Sequence, residues 1–128
     1  MASQTWDSKT DWDTWTLDGL NTTDNPGYLS INSGVSSGTA TSPKLQCANW
    51  TRWSKLRLVG TVPGASNIAV QFRVATTEGG LDAAAWSPKL DTFDDDGVCG
   101  IDLYEFVSAH PEYDVGPWIQ LRITMLAS

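Results

Sequence analysis

Apolar and polar residues alternate most regularly over residues 53–77. Two alternating runs in this stretch are joined by Pro-Gly-Ala-Ser-Asn at 63–67. Because successive side chains of a strand point to opposite faces, each run predicts a strand with one buried and one solvated face. In the second run the buried face comprises Ile68, Val70, Phe72 and Val74, and the solvated face carries Gln71 and Arg73. The pattern therefore predicts a central β-hairpin.

Three further stretches alternate in the same way. Residues 28–32 place Leu29 and Ile31 on one face, and residues 35–42 form a run of small residues that stops at Pro43. Because proline cannot donate a hydrogen bond to a neighbouring strand, the run at 35–42 predicts an edge or bulged strand. Residues 118–126 predict the last strand, with inward Ile119, Leu121, Ile123 and Met125 and outward Gln120, Arg122 and Thr124.

Helical signals are confined to two connections. Asp82 precedes Ala-Ala-Ala-Trp, which predicts a single turn capped by Asp82. Asp102 and Glu105 have capping-box spacing ahead of an apolar helical face, so a helix of about two turns is predicted there. Residues 1–18 fit neither period and predict an irregular lead-in. The pattern predicts no internal repeat.

Together these elements predict one fold class. Short strands separated by turn residues, with one or two short helices in the connections, indicate an all-β, two-sheet antiparallel β-sandwich that is jelly-roll-like. An immunoglobulin-type sandwich is the alternative topology. We expect a tryptophan-containing N-terminal arm at 1–13 and a single β-sandwich domain at 14–128.

Charge narrows the choice of partners. The 128-residue chain has a net charge of −7, which argues against binding to nucleic acid or to an anionic membrane. Eight acidic residues and no lysine or arginine lie between Asp91 and Asp114. The sequence contains no secretory signal pattern and no apolar run long enough to span a membrane. We therefore expect folding in a reducing cytosol.

Little in the chain indicates catalysis or metal binding. The single histidine, His110, precedes Pro111 at a predicted helix end, and Cys47 and Cys99 lack metal-ligand spacing. We expect two separate thiols rather than a bridge. The acidic run Asp94 to Asp96 suits calcium chemically, but it lacks EF-hand spacing, so a solvated loop is favoured. We predict no catalytic residues, no metal and no cofactor, although a glycosidase-type carboxylate pair is not excluded by composition.

Tryptophan is the residue type that suggests binding. Trp6, Trp12 and Trp15 either cover one end of the core or form an arm that docks on a partner, because tryptophan is enriched in interface hot spots. Alternatively, some of Trp12, Trp50 and Trp86 are exposed platforms on which sugar rings stack.

Several segments together resemble a known kind of module. They are Trp15, PGYLSI at 26–31, GTATSP at 38–43, WSKLRL at 53–58, IAVQFRVATT at 68–77, Trp86 and WIQLRITML at 118–126. This outline resembles the β-sandwich modules of bacteriophage virion proteins, which also occur beside glycan-acting bacterial enzymes. The resemblance implies a non-catalytic module that decorates or assembles a virion, or that grips sugars.

Two features favour the virion interpretation. The chain reads as a complete one-domain frame with its own initiator methionine, and it has no signal peptide. We therefore expect a non-enzymatic virion structural protein, a capsid-decoration or tail accessory subunit that is assembled in the host cytoplasm. Its expected partners are capsid or tail proteins and further copies of itself. The alternative is a carbohydrate-binding module that recognises glycans.

Overall fold

The computed structural model describes residues 5–6, 8–24, 27–47, 55–60, 67–89, 92–93, 97–113 and 115–126. The helices are α1 (Lys9–Trp12), α2 (Gly80–Ala83) and α3 (Leu103–Ala109), and a 3-10 turn follows at Pro111–Tyr113. The strands are β1 (Thr16–Asp18), β2 (Leu20–Asn21), β3 (Ser30–Ile31), β4 (Ser37–Thr41), β5 (Leu45–Gln46), β6 (Lys55–Gly60), β7 (Asn67–Ala75), β8 (Thr92–Phe93), β9 (Gly97–Asp102) and β10 (Trp118–Leu126). The described chain is thus mostly strand, as predicted, with few short helices.

Six strands form one antiparallel sheet. Its order is β1-β4-β10-β7-β8, and β5 pairs with β10 beyond the end of β4. At its centre, β7 and β10 pair along their whole length, from Ala75 opposite Trp118 to Asn67 opposite Leu126. The prediction of a last strand at 118–126 is confirmed.

The inner face of the β7–β10 pair carries the core. Its buried residues are Val70, Phe72, Val74, Ile119, Leu121 and Ile123. Helix α3 contributes the buried Leu103 and Val107 to the same cluster, and the ring of Phe72 lies 5.7 Å from that of Phe106. The facing predicted for residues 68–74 and 119–123 is confirmed. Removing this apolar surface from water is the main source of stability.

The predicted central hairpin is wrong in its pairing. Strands β6 and β7 both form, but β6 pairs with β9 in a separate two-stranded sheet, and β7 pairs with β10 and β8. Alternation shows which residues share a face, but it does not identify the neighbouring strand. Consecutive strands pair often, but not always.

The structure corrects three local predictions and confirms a fourth. Strand β4 lies between β1 and β10, so it is not an edge strand, and Pro43 follows its end. The lead-in is not wholly irregular, since it contains α1 and β1.

Helix α2 begins at Gly80 after an N-cap at Gly79, so Asp82 lies within the helix and does not cap it. The helix predicted after Asp102 is confirmed as α3.

Candidate functional site

The N-terminal tryptophans form one aromatic cluster. Ser8 caps α1 by accepting a hydrogen bond from the backbone of Asp11 at 3.1 Å, and the helix presents Trp12. The ring of Trp15 lies 5.0 Å from that of Trp6 and 5.1 Å from that of Trp12, between centroids. These distances and the inclined ring planes are typical of favourable aromatic pairs. We call Trp6, Trp12 and Trp15 the tryptophan cluster.

The cluster is buried at its base and open at its outer rings. Trp15 is 5% exposed, whereas Trp6 and Trp12 are partly exposed and pack against the core. Trp12 Nε1 donates to the carbonyl of Gly27 at 3.0 Å, which fixes the chain beside the cluster just before Tyr28. Tyr28 itself is 61% exposed. The result is an aromatic surface on a fixed support.

Polar contacts hold the support in place. Asp13 accepts hydrogen bonds from Lys9 Nζ at 2.7 Å and from Thr22 Oγ1 at 2.5 Å. The hydrogen bond from Lys9, followed by the one from Thr22, lowers the pKa of Asp13 below its ordinary value of 3.8. The indole N–H of Trp15 is buried and has no acceptor among the residues that the structure describes. An unpaired buried donor costs free energy, so its position depends on the surrounding packing.

A second aromatic residue lies on the outer face of the β7–β10 pair. Trp86 packs against two arginines from these strands, and the Cζ atoms of Arg73 and Arg122 are each 4.4 Å from its ring centroid. Such contacts are attractive because the aromatic face is electron-rich. Trp86, which was predicted as a sugar platform, is therefore already in contact with two guanidinium groups.

Both arginines are also held by glutamines. Arg73 donates from Nε and Nη2 to Gln120 Oε1 at 3.0 and 2.7 Å. Arg122 donates from Nε and Nη2 to Gln71 Oε1 at 3.1 and 2.9 Å. Each pair consists of residues that lie opposite each other in the β7–β10 register. We call Gln71, Arg73, Gln120 and Arg122 the arginine–glutamine lattice.

Two serines complete the lattice on either side. Gln71 Nε2 donates to the carbonyl of Ser87 and Gln120 Nε2 to that of Ser42, both at 2.8 Å. Ser87 Oγ accepts from the backbone N–H of Phe72 at 3.0 Å, and Ser42 Oγ accepts from that of Leu121 at 2.9 Å. The serines thus satisfy backbone groups on the outer edges of the central strand pair.

The serine contacts correct one prediction. Ser42 and Ser87 each begin the sequence Ser-Pro-Lys-Leu, and the lattice comes from two copies of Gln-x-Arg, at 71–73 and 120–122. The prediction that the chain lacks an internal repeat does not account for these short matches. These short matches are hard to recognise in the sequence because the residues between them differ in number and type. Their shared contacts indicate that they correspond.

One carboxylate, that of Asp82, lies close to the positive charges of Lys44 and Arg73 at the lattice. Asp82 Oδ2 accepts from Lys44 Nζ at 2.9 Å, and its Oδ1 lies 4.0 Å from Arg73 Nη2. The hydrogen bond from Lys44, followed by the charge of Lys44, lowers the pKa of Asp82 below 3.8. Burial lowers the pKa of Arg73. Asp82 therefore sits between two cations that it partly neutralises.

The remaining sequence predictions concern residues that belong to neither the tryptophan cluster nor the arginine–glutamine lattice. Trp50 and the acidic run at 94–96 fall outside the described residues. Cys47 is a half-buried free thiol. His110 is exposed at the end of α3 and stacks on Phe106 with 4.4 Å between ring centroids.

Within the described ranges, no group of three histidine, cysteine, aspartate or glutamate residues is placed to hold a metal ion. None of the helices in those ranges has the length and apolar character needed to cross a bilayer. Comparison with family models, with curated proteins and with solved structures finds no match to this chain.

Proposed function

We propose that this protein is a non-catalytic interaction module that serves as an accessory structural subunit of a bacteriophage particle. The observation that carries the proposal is the tryptophan cluster. Its partly exposed outer rings lie on a buried base, and the exposed Tyr28 directly follows Gly27, to which Trp12 is hydrogen-bonded. Tryptophan and tyrosine anchors of this kind supply much of the free energy of protein–protein binding. The resemblance to phage modules supplies the virion context.

For the fold we propose a two-layer, jelly-roll-like β-sandwich. The six-stranded sheet would form one layer, and the β6–β9 pair would belong to the other. The tryptophan cluster packs against the core with Trp6 and Trp12 partly exposed, so it could meet a capsid or tail protein. Several copies on one particle would present the same surface many times.

The first experiment counts copies of the protein on virions. Particles purified from the cells that make this protein are analysed by quantitative mass spectrometry against the major capsid and tail proteins. We expect a fixed copy number per particle. Purified particles that contain none of it would overturn the virion assignment.

The second experiment tests the binding surface. Particles are assembled with Trp6→Ala/Tyr28→Ala, and the matched control is Tyr104→Ala, which removes a 54% exposed aromatic from α3. Loss of a hot spot predicts an approximately tenfold or greater drop in binding to the particle. Equal incorporation of both folded variants would contradict the proposed surface.

The carbohydrate-binding alternative has weaker support. Of its three predicted tryptophans, Trp12 is part of the tryptophan cluster, and Trp86 contacts two guanidinium groups. A glycan array probed with the wild type and with Trp86→Ala tests this alternative directly. Binding that is lost in the variant would favour it over the particle role.

A further inference from the structure

The arginine–glutamine lattice has an approximate twofold arrangement. Phe72 and Leu121 lie opposite each other at the centre of the β7–β10 pair. On either side of them, Gln71 faces Arg122, and Arg73 faces Gln120. Exchanging the two strands therefore reproduces the same set of pairs.

The serine contacts repeat bond for bond. The backbone N–H of Ser42 donates to Leu121 at 2.9 Å, and that of Ser87 donates to Phe72 at 2.8 Å. The hydroxyl of Ser42 donates to the Pro43 carbonyl at 2.8 Å, and that of Ser87 to the Pro88 carbonyl at 2.9 Å. Each serine occupies the outer edge of the strand that belongs to the other half of the chain.

The strand topology shows the same relation. After the first Ser-Pro the chain forms β5, β6 and β7, and after the second it forms β8, β9 and β10. Strand β6 pairs with β9 and β7 with β10, while β5 pairs with β10 and β8 with β7. Every one of these pairings joins one half to the other. The second half is longer because α3 precedes β10.

We infer that residues 42–75 and 87–126 are two copies of one structural unit. We further infer that the face joining them is a self-complementary docking surface that accepts the unit of a second copy of this chain. Each unit supplies one serine, one glutamine and one arginine and receives the same three groups from the other. A surface that matches itself in this way forms closed twofold dimers. The inference is independent of the virion assignment.

The connector between the units favours exchange. Residues 76–79 are all exposed, and a Cβ added at Gly79 would meet no atom within 4 Å. By contrast, Leu81 in α2 is fully buried, and Trp86 is anchored on the lattice. Opening the chain at 76–79 and pairing each unit with that of a second copy retains the described strand pairings and the lattice hydrogen bonds between units.

One position breaks the symmetry. The residue before the second Ser-Pro is Trp86, and the residue before the first is Thr41. Because the two arginine Cζ atoms lie equally close to the Trp86 ring centroid, at 4.4 Å each, that ring occupies the approximate axis. Either unit can therefore supply that ring, provided that the other has a small residue.

Moving the tryptophan across the axis tests the duplication. Trp86→Thr should lower the melting temperature by about 4 °C or more, because both arginines lose their aromatic contact. Thr41→Trp/Trp86→Thr should recover at least half of that loss, whereas Thr41→Trp alone, which retains Trp86, should not melt above the wild type. A double variant that melts no higher than Trp86→Thr would overturn the twofold relation.

Shortening the connector tests docking between copies. Deleting residues 76–79 in the full chain leaves seven residues between Ala75 and Ser87 and should disfavour closure within one chain, so that a dimer forms, measured by light scattering after gel filtration. A four-residue Gly/Ser insertion after Gly79 is the control and should leave the mass unchanged. Adding Gln71→Ala/Gln120→Ala to the deletion should reduce the dimer fraction at least tenfold. A folded monomer, or an unfolded chain, would overturn docking between copies.

Discussion

The two faces of the central β7–β10 pair are covered in different ways. The inner face is apolar and buried, with Phe72 opposite Leu121 at its centre. The outer face is polar, yet Gln120 on it is only 8% exposed. Burial of apolar area stabilises the inner face without directional demands, whereas the outer face depends on matched donors and acceptors. Both faces are therefore packed, but only the outer face requires particular pairs of side chains to lie opposite each other.

This difference bears on strand register. A slip of two residues between β7 and β10 would leave the same side chains on the inner face. On the outer face, however, such a slip would bring Arg73 opposite Arg122, or Gln71 opposite Gln120, instead of the observed arginine–glutamine pairs. Like charges opposite each other are destabilising. The lattice thus selects the register that the apolar face alone leaves open.

The largest expected effect compares the two faces directly. Phe72→Ala removes a fully buried ring and should lower the free energy of unfolding by about 3–5 kcal/mol. Arg73→Ala leaves the Gln120 amide oxygen without its donors and should cost about 1–3 kcal/mol. Urea denaturation measures both losses. Equal losses would contradict the assignment of Phe72 to the core and Arg73 to the lattice.

The serines are expected to have an intermediate effect. Ser42→Ala and Ser87→Ala each leave a buried backbone N–H, of Leu121 or Phe72, without an acceptor, at a cost of about 1–3 kcal/mol. Because the contacts correspond, the two losses should agree closely. Ser108→Ala, on the exposed surface of α3, is the matched control and should change stability little. A large loss at one lattice serine and none at the other would break the equivalence.

The smallest expected effect is the acid response of Asp82. Because its folded pKa is lowered, its contribution to stability is present above the ordinary value of 3.8 and is lost as the pH falls through the folded value. Thermal melting of the wild type and of Asp82→Asn should therefore differ at pH 7 and converge below pH 3.8. A difference that is unchanged at low pH would mean that the carboxylate does not act through its charge.

The sequence predicted the inner face well and the outer face poorly. Alternation identifies Val70, Phe72 and Leu121 as core because every second side chain of a strand points to the same face, and the apolar residues follow that period. It also places Gln71 and Arg122 on the opposite face, but it gives no indication that they bond to each other. That pairing depends on which strands are neighbours, which is also why the hairpin prediction failed for β6. Matching contacts between distant segments were needed to recognise the repeat.

The central claim is that one tryptophan contacts two equivalent arginine–glutamine pairs. The most direct test is an NMR measurement of the arginine Nε–H groups at neutral pH, assigned with Arg73→Lys and Arg122→Lys. Both Nε–H resonances should exchange slowly with water and should be shifted by the Trp86 ring current. Both should move toward solvent-exposed values in Trp86→Ala. Slow exchange of the Nε–H of only one arginine would contradict this. So would Nε–H resonances that stay unchanged in Trp86→Ala.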